Sequence, residues 1–203
     1  ACDLGKKSVL FIRFVMFKLI VCLGNPGQKY EKTRHNAGFL FLDRLASERS
    51  SVWSNKPDFQ GLLSEYTTAG EKVLMLKPQA YMNRSGQSVG KLTRYYKIVP
   101  EEILVVHDEL DFEVGVVKLK KDGGHAGHNG LRDIIAHLGA KDFYRLRLGI
   151  GRPIANGVVA DFVLSEPSKH DWQLLGSAID QGLALIDQII VGDIAAAMNK
   201  LNS

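Results

Sequence analysis

Three stretches of this chain run from apolar residues into side chains that can hold or move a proton. Lys18-Leu19-Ile20-Val21-Cys22 leads into Leu23-Gly24-Asn25-Pro26-Gly27, and His35-Asn36 follows ten positions after Asn25. Ile103-Leu104-Val105-Val106 leads into His107-Asp108-Glu109, and Val73-Leu74-Met75-Leu76 is followed by Tyr81-Met82-Asn83. In an open α/β sheet, ligands bind in the crevice beyond the carboxyl ends of the strands, so polar groups at three strand ends predict one shared site.

His35 is the candidate general base, because imidazole titrates close to neutral pH. A base of this kind needs an acceptor on its second ring nitrogen, which fixes the tautomer and stabilises the cation. Asp108, at the end of a buried strand, is placed to be that acceptor. Standing alone, His35 would pass for a residue near a helix cap and Asp108 for a cap or a lysine partner. Asn25, Asn83 and Asn129 each offer a carboxamide that both donates and accepts hydrogen bonds. They suit a site that holds water, a peptide backbone or a developing oxyanion. No Gly-x-Ser-x-Gly elbow occurs, and Ser85 has no base at a telling spacing, so water is the expected nucleophile.

A metal site is the competing reading, with His107, Asp108, His125 and His128 as conceivable ligands. The two later histidines, however, sit in the glycine-rich stretch Gly123-Gly124-His125-Ala126-Gly127-His128-Asn129-Gly130 and not at helical His-Glu-x-x-His spacing. No metal and no cofactor is expected. The same stretch could cradle an anion at a helix start, yet no Lys-Ser/Thr follows it as in a P-loop.

These groups need a scaffold, and the chain alternates strand and helix. Strands are predicted near 18–23, 103–106, 116–120, 145–150 and 158–163. Residues 60–66 and 71–77 should form a hairpin turning at Ala69-Gly70. Helices are predicted over 35–49, 85–96, 131–138, 168–188 and 193–201 from apolar periodicity and Pro/Gly stops. The expected fold is a single α/β domain: a mixed, mostly parallel twisted central sheet flanked by helices on both faces. At 203 residues, 45% hydrophobic and 24% charged, the chain can bury a full core and is not of disordered composition. Cys2 and Cys22 make no disulfide framework, and Cys22 lies within an apolar strand; a reducing cytoplasm is expected.

Residues 1–15 carry Lys6-Lys7 before Val9-Leu10-Phe11-Ile12, but Arg13 interrupts that run and no small-residue cleavage site follows. The run is too short to span a membrane. Residues 1–15 are therefore expected to lie outside the fold, leaving 16–203 as the domain. The net charge of +4 permits a polyanionic partner. Lys118, Lys120 and Lys121 cluster beside Arg132, and Arg145 and Arg147 share one strand face; such residues also serve simply as a charged sheet edge.

Taken together, the motifs resemble those of bacterial peptidyl-tRNA hydrolases. The residues concerned are Leu23–Gly27 with Tyr30, Thr33–Gly38, Tyr81–Gly86, His107–Asp111 and Gly124–Gly130, in order from about Met16 to the C-terminus. The resemblance implies a monomer that hydrolyses, without a metal, the ester joining a peptide to the terminal ribose of tRNA. Position by position, it makes His35 the base, Asp108 its supporting carboxylate, and Asn25 the sensor of an acylated α-amino group. Asn83 and Asn129 become substrate contacts, Tyr30 and Tyr81 line the acceptor-end site, and Lys118, Lys120 and Arg147 meet tRNA phosphates. Ala126 and Asp122 depart from the family's pattern, where glycine or a small residue is usual. Rival readings are an RNA-splicing adaptor without hydrolysis, a peptidase or amidase, and a metal-dependent hydrolase.

Overall fold

The computed structural model of the chain describes residues 16–153 and 158–203. The expectation for residues 1–15 falls outside that range. Seven strands form one sheet: β1 (Leu19–Cys22), β2 (Ser54–Lys56), β3 (Gly61–Thr68), β4 (Glu71–Pro78), β5 (Ile103–Glu109), β6 (Val117–Lys121) and β7 (Tyr144–Gly149), in the order β2-β3-β4-β1-β5-β7-β6. The central strands β4, β1, β5 and β7 are parallel, while β2, β3 and β6 join antiparallel at the flanks. The sheet is thus mixed, with its parallel part at the centre.

The unbroken apolar runs of β1 and β5 follow from burial on both faces, since every residue of either strand is buried. Ile20, Cys22, Leu104 and Val106 pack with Phe41 and Leu42 of α1 (Ala37–Glu48) and with the C-terminal helices. Leu19, Val21, Ile103 and Val105 face α2 (Ser85–Tyr96) and α3 (Asn129–Leu138) through Val89, Leu92 and Ile134. The hairpin turn takes positive φ at both Ala69 (49°) and Gly70 (81°), the conformation that matches strand twist in a two-residue loop. Gly38 is dictated by contact: a Cβ there would lie 2.6 Å from the carbonyl oxygens of Leu23 and Val106. The first turn of α1 therefore rests directly on the ends of β1 and β5, and this brings His35 to the strand ends.

Three details differ from the sequence-based expectation. Residues 158–163 form a short helix, α4 (Val159–Val163), and not a strand. Only Val163 of that helix is buried, and the outer edge of β6 is met by the C-terminal residues at Leu119. There the Asn202 carboxamide accepts from Leu119 N–H and donates to Leu119 C=O, both at 3.0 Å, as a paired strand would. The helix expected over 168–188 is broken at Leu185 into α5 (Lys169–Ala184) and α6 (Ile186–Ile190), followed by α7 (Ile194–Leu201). Finally, the exposed edge strand β2 went unpredicted, because Ser54-Asn55-Lys56 has no apolar pattern to betray it. Among the described residues no helix is long and apolar enough to cross a membrane.

Candidate active site

The last turn of β5 buries His107, Asp108 and Glu109 between neighbouring strands. A 3₁₀ turn over Arg34–Asn36, ahead of α1, swings His35 over the strand end. Its Nδ1 lies 3.0 and 2.9 Å from the two Asp108 carboxylate oxygens. From the other side, His128 Nε2 meets Asp108 Oδ1 at 3.0 Å. The His128 tautomer follows from its second nitrogen: Nδ1 accepts from the Gly130 and Leu131 amides as the cap of α3, so the proton resides on Nε2. Asp108 thus receives two N–H donors, and His35 Nε2 is left without a partner among the described residues.

Burial alone would weaken the charged form of His35, but the Asp108 charge and hydrogen bond outweigh it and raise the pKa above the ordinary histidine value. Burial likewise opposes ionisation of Asp108, yet the charges and hydrogen bonds of His35 and His128 hold it far below the usual carboxylate range. Asp108 is a permanent anion aimed at two imidazoles. His107 behaves in the opposite way: burial, then His128, lower its pKa to about 3. It stays neutral, donating from Nδ1 to the Asp108 carbonyl at 2.7 Å, and its ring meets His128 edge-on.

His35 and Asp108 line a cavity of about 440 Å³ together with Asn25, Tyr81, Asn83 and Asn129. Asn25 is the most constrained of the three asparagines. Asn36 brackets its main chain, accepting from Asn25 N–H at 2.8 Å and donating to Asn25 C=O at 3.0 Å. The Asn25 side-chain oxygen accepts the Met82 amide at 2.8 Å, so its Nδ2 is the free donor. Asn83 and Asn129 are exposed at the rim. Tyr30 stands behind Tyr81, their rings edge to face at 6.4 Å. Among the described lining residues are no serine, threonine, cysteine or lysine, and α4 with the following Leu164 supplies an apolar wall through Val159 and Val163.

Lys118, Lys120 and Arg147 lie apart from this cavity. Register pairs Lys118 with Arg147 and Lys120 with Arg145 on the sheet face beside α3. Arg147 stacks on Phe112 at 4.5 Å and faces Glu109 at 3.8 Å. The sequence suggests His128 only as a metal ligand and points to no separate role for Asn36. The available signal for His128 was its place just ahead of the apolar helical spacing of Leu131, Ile134 and Ile135, where a cap belongs. His35, Asp108 and His128 do bring three potential ligand atoms within 4.8 Å of one another. The two imidazole–carboxylate separations of 2.9 and 3.0 Å are those of hydrogen bonds, with a proton on each nitrogen facing Asp108.

A buried carboxylate beside an imidazole, opening on a cavity whose described lining holds no serine, threonine, cysteine or lysine, has the groups that general-base chemistry on water calls for. Comparison narrows the class. A family model described as peptidyl-tRNA hydrolase matches residues 19–203. The peptidyl-tRNA hydrolase of Methylococcus capsulatus is 51% identical over 187 residues, covering 92% of this chain and 100% of the relative. That of Pseudomonas putida is 52% identical over 188 residues, covering 92% and 96%. A crystal structure of peptidyl-tRNA hydrolase from Acinetobacter baumannii superposes with a TM-score of 0.89 at 45% identity, covering 92% of this chain and 95% of that one. The chain belongs to the peptidyl-tRNA hydrolase family, whose activity is the hydrolysis of peptidyl-tRNA.

Proposed function

We propose that this chain cleaves the ester between a peptide, or an N-blocked amino acid, and the terminal ribose of tRNA, releasing peptide and free tRNA. The observation that carries the reading is the oriented imidazole: Nδ1 is held by an ionised Asp108 and Nε2 is open at a cavity whose described lining includes no serine, threonine, cysteine or lysine. His35 Nε2 takes a proton from water as the oxygen attacks the ester carbonyl, and Asp108 stabilises the imidazolium. When the carbon–oxygen ester bond breaks, the proton passes from His35 to the departing ribose oxygen. No covalent enzyme intermediate and no metal is needed.

Asn25 Nδ2, with its carboxamide fixed by Met82 and Asn36, donates to the acylated end of the peptide. Asn83 and Asn129 hold water and peptide backbone, while Tyr81, backed by Tyr30, gives the terminal nucleoside a surface to lie on. Lys118, Lys120 and Arg147 meet acceptor-arm phosphates. The protein acts as a monomer in the cytoplasm. The test is release of an acetylated amino acid from charged tRNA by the wild type and by His35→Ala, with chelator present. Chelator-resistant turnover that His35→Ala abolishes supports the reading; normal rates in the variant remove the base, and loss of wild-type turnover with chelator points to a metal.

A further inference from the structure

Arg145 and Arg147 stand two residues apart on one face of β7, and both would pass for phosphate contacts. Their surroundings separate them. Arg147 is partly exposed, whereas Arg145 is only 3% exposed and lies against the Phe143 ring at 4.7 Å. Its two terminal nitrogens donate to main-chain carbonyls, Nη1 to Gly124 at 2.6 Å and Nη2 to Gly123 at 2.5 Å.

Those carbonyls belong to the loop between β6 and α3, which is poorly anchored otherwise. Asp122 N–H bonds to Phe143 C=O at 3.1 Å, and His128 N–H closes a turn onto His125 C=O at 2.8 Å. Between these points, the other hydrogen bonds of Gly123–Gly127 stay within the loop: Gly123 N–H donates to the Asp122 carboxylate, and Gly127 N–H to His125 Nδ1. Among the described residues, the Arg145 fork is the only hydrogen-bonded tie from Gly123–Gly127 to any residue beyond the flanking Asp122 and His128. The backbone there is contorted, with positive φ at Asp122 (65°), Gly123 (113°), Ala126 (46°) and Gly127 (82°). The loop ends in His128, which bonds Asp108 and caps α3, and in Asn129 at the cavity rim.

We infer that Arg145 is a positioning residue for hydrolysis, clamping the glycine-rich loop so that His128 and Asn129 stay in register with the His35–Asp108 pair, and that it is not a tRNA phosphate contact. The inference rests on the general-base reading of that pair. A planar fork spanning two successive carbonyls is a task for guanidinium; an ammonium keeps the charge and cannot replace the geometry.

The experiment compares Arg145→Gln, Arg145→Lys, Arg147→Gln and His35→Ala in turnover of N-acetyl-aminoacyl-tRNA, tRNA affinity against salt, and amide hydrogen exchange. Both Arg145 variants should lose roughly tenfold to a hundredfold in kcat, the scale of a misplaced site. Their KM should stay within about twofold and their salt slope should match the wild type. Arg147→Gln should raise KM and lower the slope by about one. The Gly130 and Leu131 amides, which His128 caps, should exchange faster in Arg145→Lys, a readout that serves even if the glutamine variant does not fold. Rescue of kcat by lysine, a slope reduced as in Arg147→Gln, or unchanged exchange at both amides would overturn the clamp. Wild-type turnover by His35→Ala would instead sink the general-base reading itself, so the two failures are distinguishable.

Discussion

The carboxyl end of β5 and the open face of β6 and β7 lie side by side, yet their charges work in opposite ways. At the end of β5, Asp108 is buried, ionised and bonded to two imidazoles, and the cavity above it is shielded by α4. On the neighbouring face, Lys120 is exposed, Lys118 and Arg147 are partly so, and none of the three is tightly ion-paired among the described residues. A desolvated pair concentrates its effect in one geometry, so losing one member costs most of the function. Screened surface charges act nearly independently and yield to salt. The first arrangement suits bond breaking, the second a grip on a polyanion that must let go.

Substitutions should divide along that line. His35→Ala should cause the largest loss, roughly 10²–10⁴-fold in kcat, because a positioned base contributes on that scale. Asp108→Asn should follow closely, leaving His35 without the charge that supports its cation; an effect below about tenfold would show that the carboxylate is only structural. Neither loss should vary with ionic strength. Lys118→Ala and Arg147→Ala should act the other way, weakening binding to all tRNAs and reducing the salt slope by about one each. Unchanged salt dependence would place the RNA surface elsewhere. The smallest effect belongs to Ala126→Gly. Removing a Cβ at φ 46° relieves left-handed strain, partly offset by glycine's unfolded-state entropy, so thermal melting should show a gain below about 1 kcal/mol. A clear loss of stability would mean that the methyl group packs usefully at the cavity, which Ala126 lines.

Much of this was readable in the chain because the relevant signals are local. Four apolar residues ahead of His107, or Ala69-Gly70 between two strands, leave few alternatives. The signals that misled were also local. Val158, Val159 and Val163 carry strand propensity, but residues 158–163 coil into α4, and on the outer edge of β6 the Asn202 carboxamide pairs with Leu119. Ile186 continues the spacing of α5, although the helix breaks at Leu185. Asn25 and Asp108 could be singled out because each follows an apolar run, and His35 because it stands ten positions after Asn25 where a helix begins. The part played by His128 depends on two partners that only the fold assembles, the α3 amides on one nitrogen and Asp108 on the other. Arg145 and Arg147 are indistinguishable by type and spacing. What differs is the loop that folds back over one of them.

The most direct test is the pH dependence of kcat/KM for the wild type beside Asp108→Asn. The proposed mechanism requires neutral His35, so it predicts a rate that falls as pH drops through its pKa. The Asp108 charge and hydrogen bond raise that pKa above the ordinary 6.5, which sets the wild-type acid limb above this value. Taking the charge away leaves burial, which lowers the pKa, so the limb of Asp108→Asn should move to lower pH while the plateau drops. An acid limb that stays in place when Asp108 is neutralised would contradict a base primed by that carboxylate.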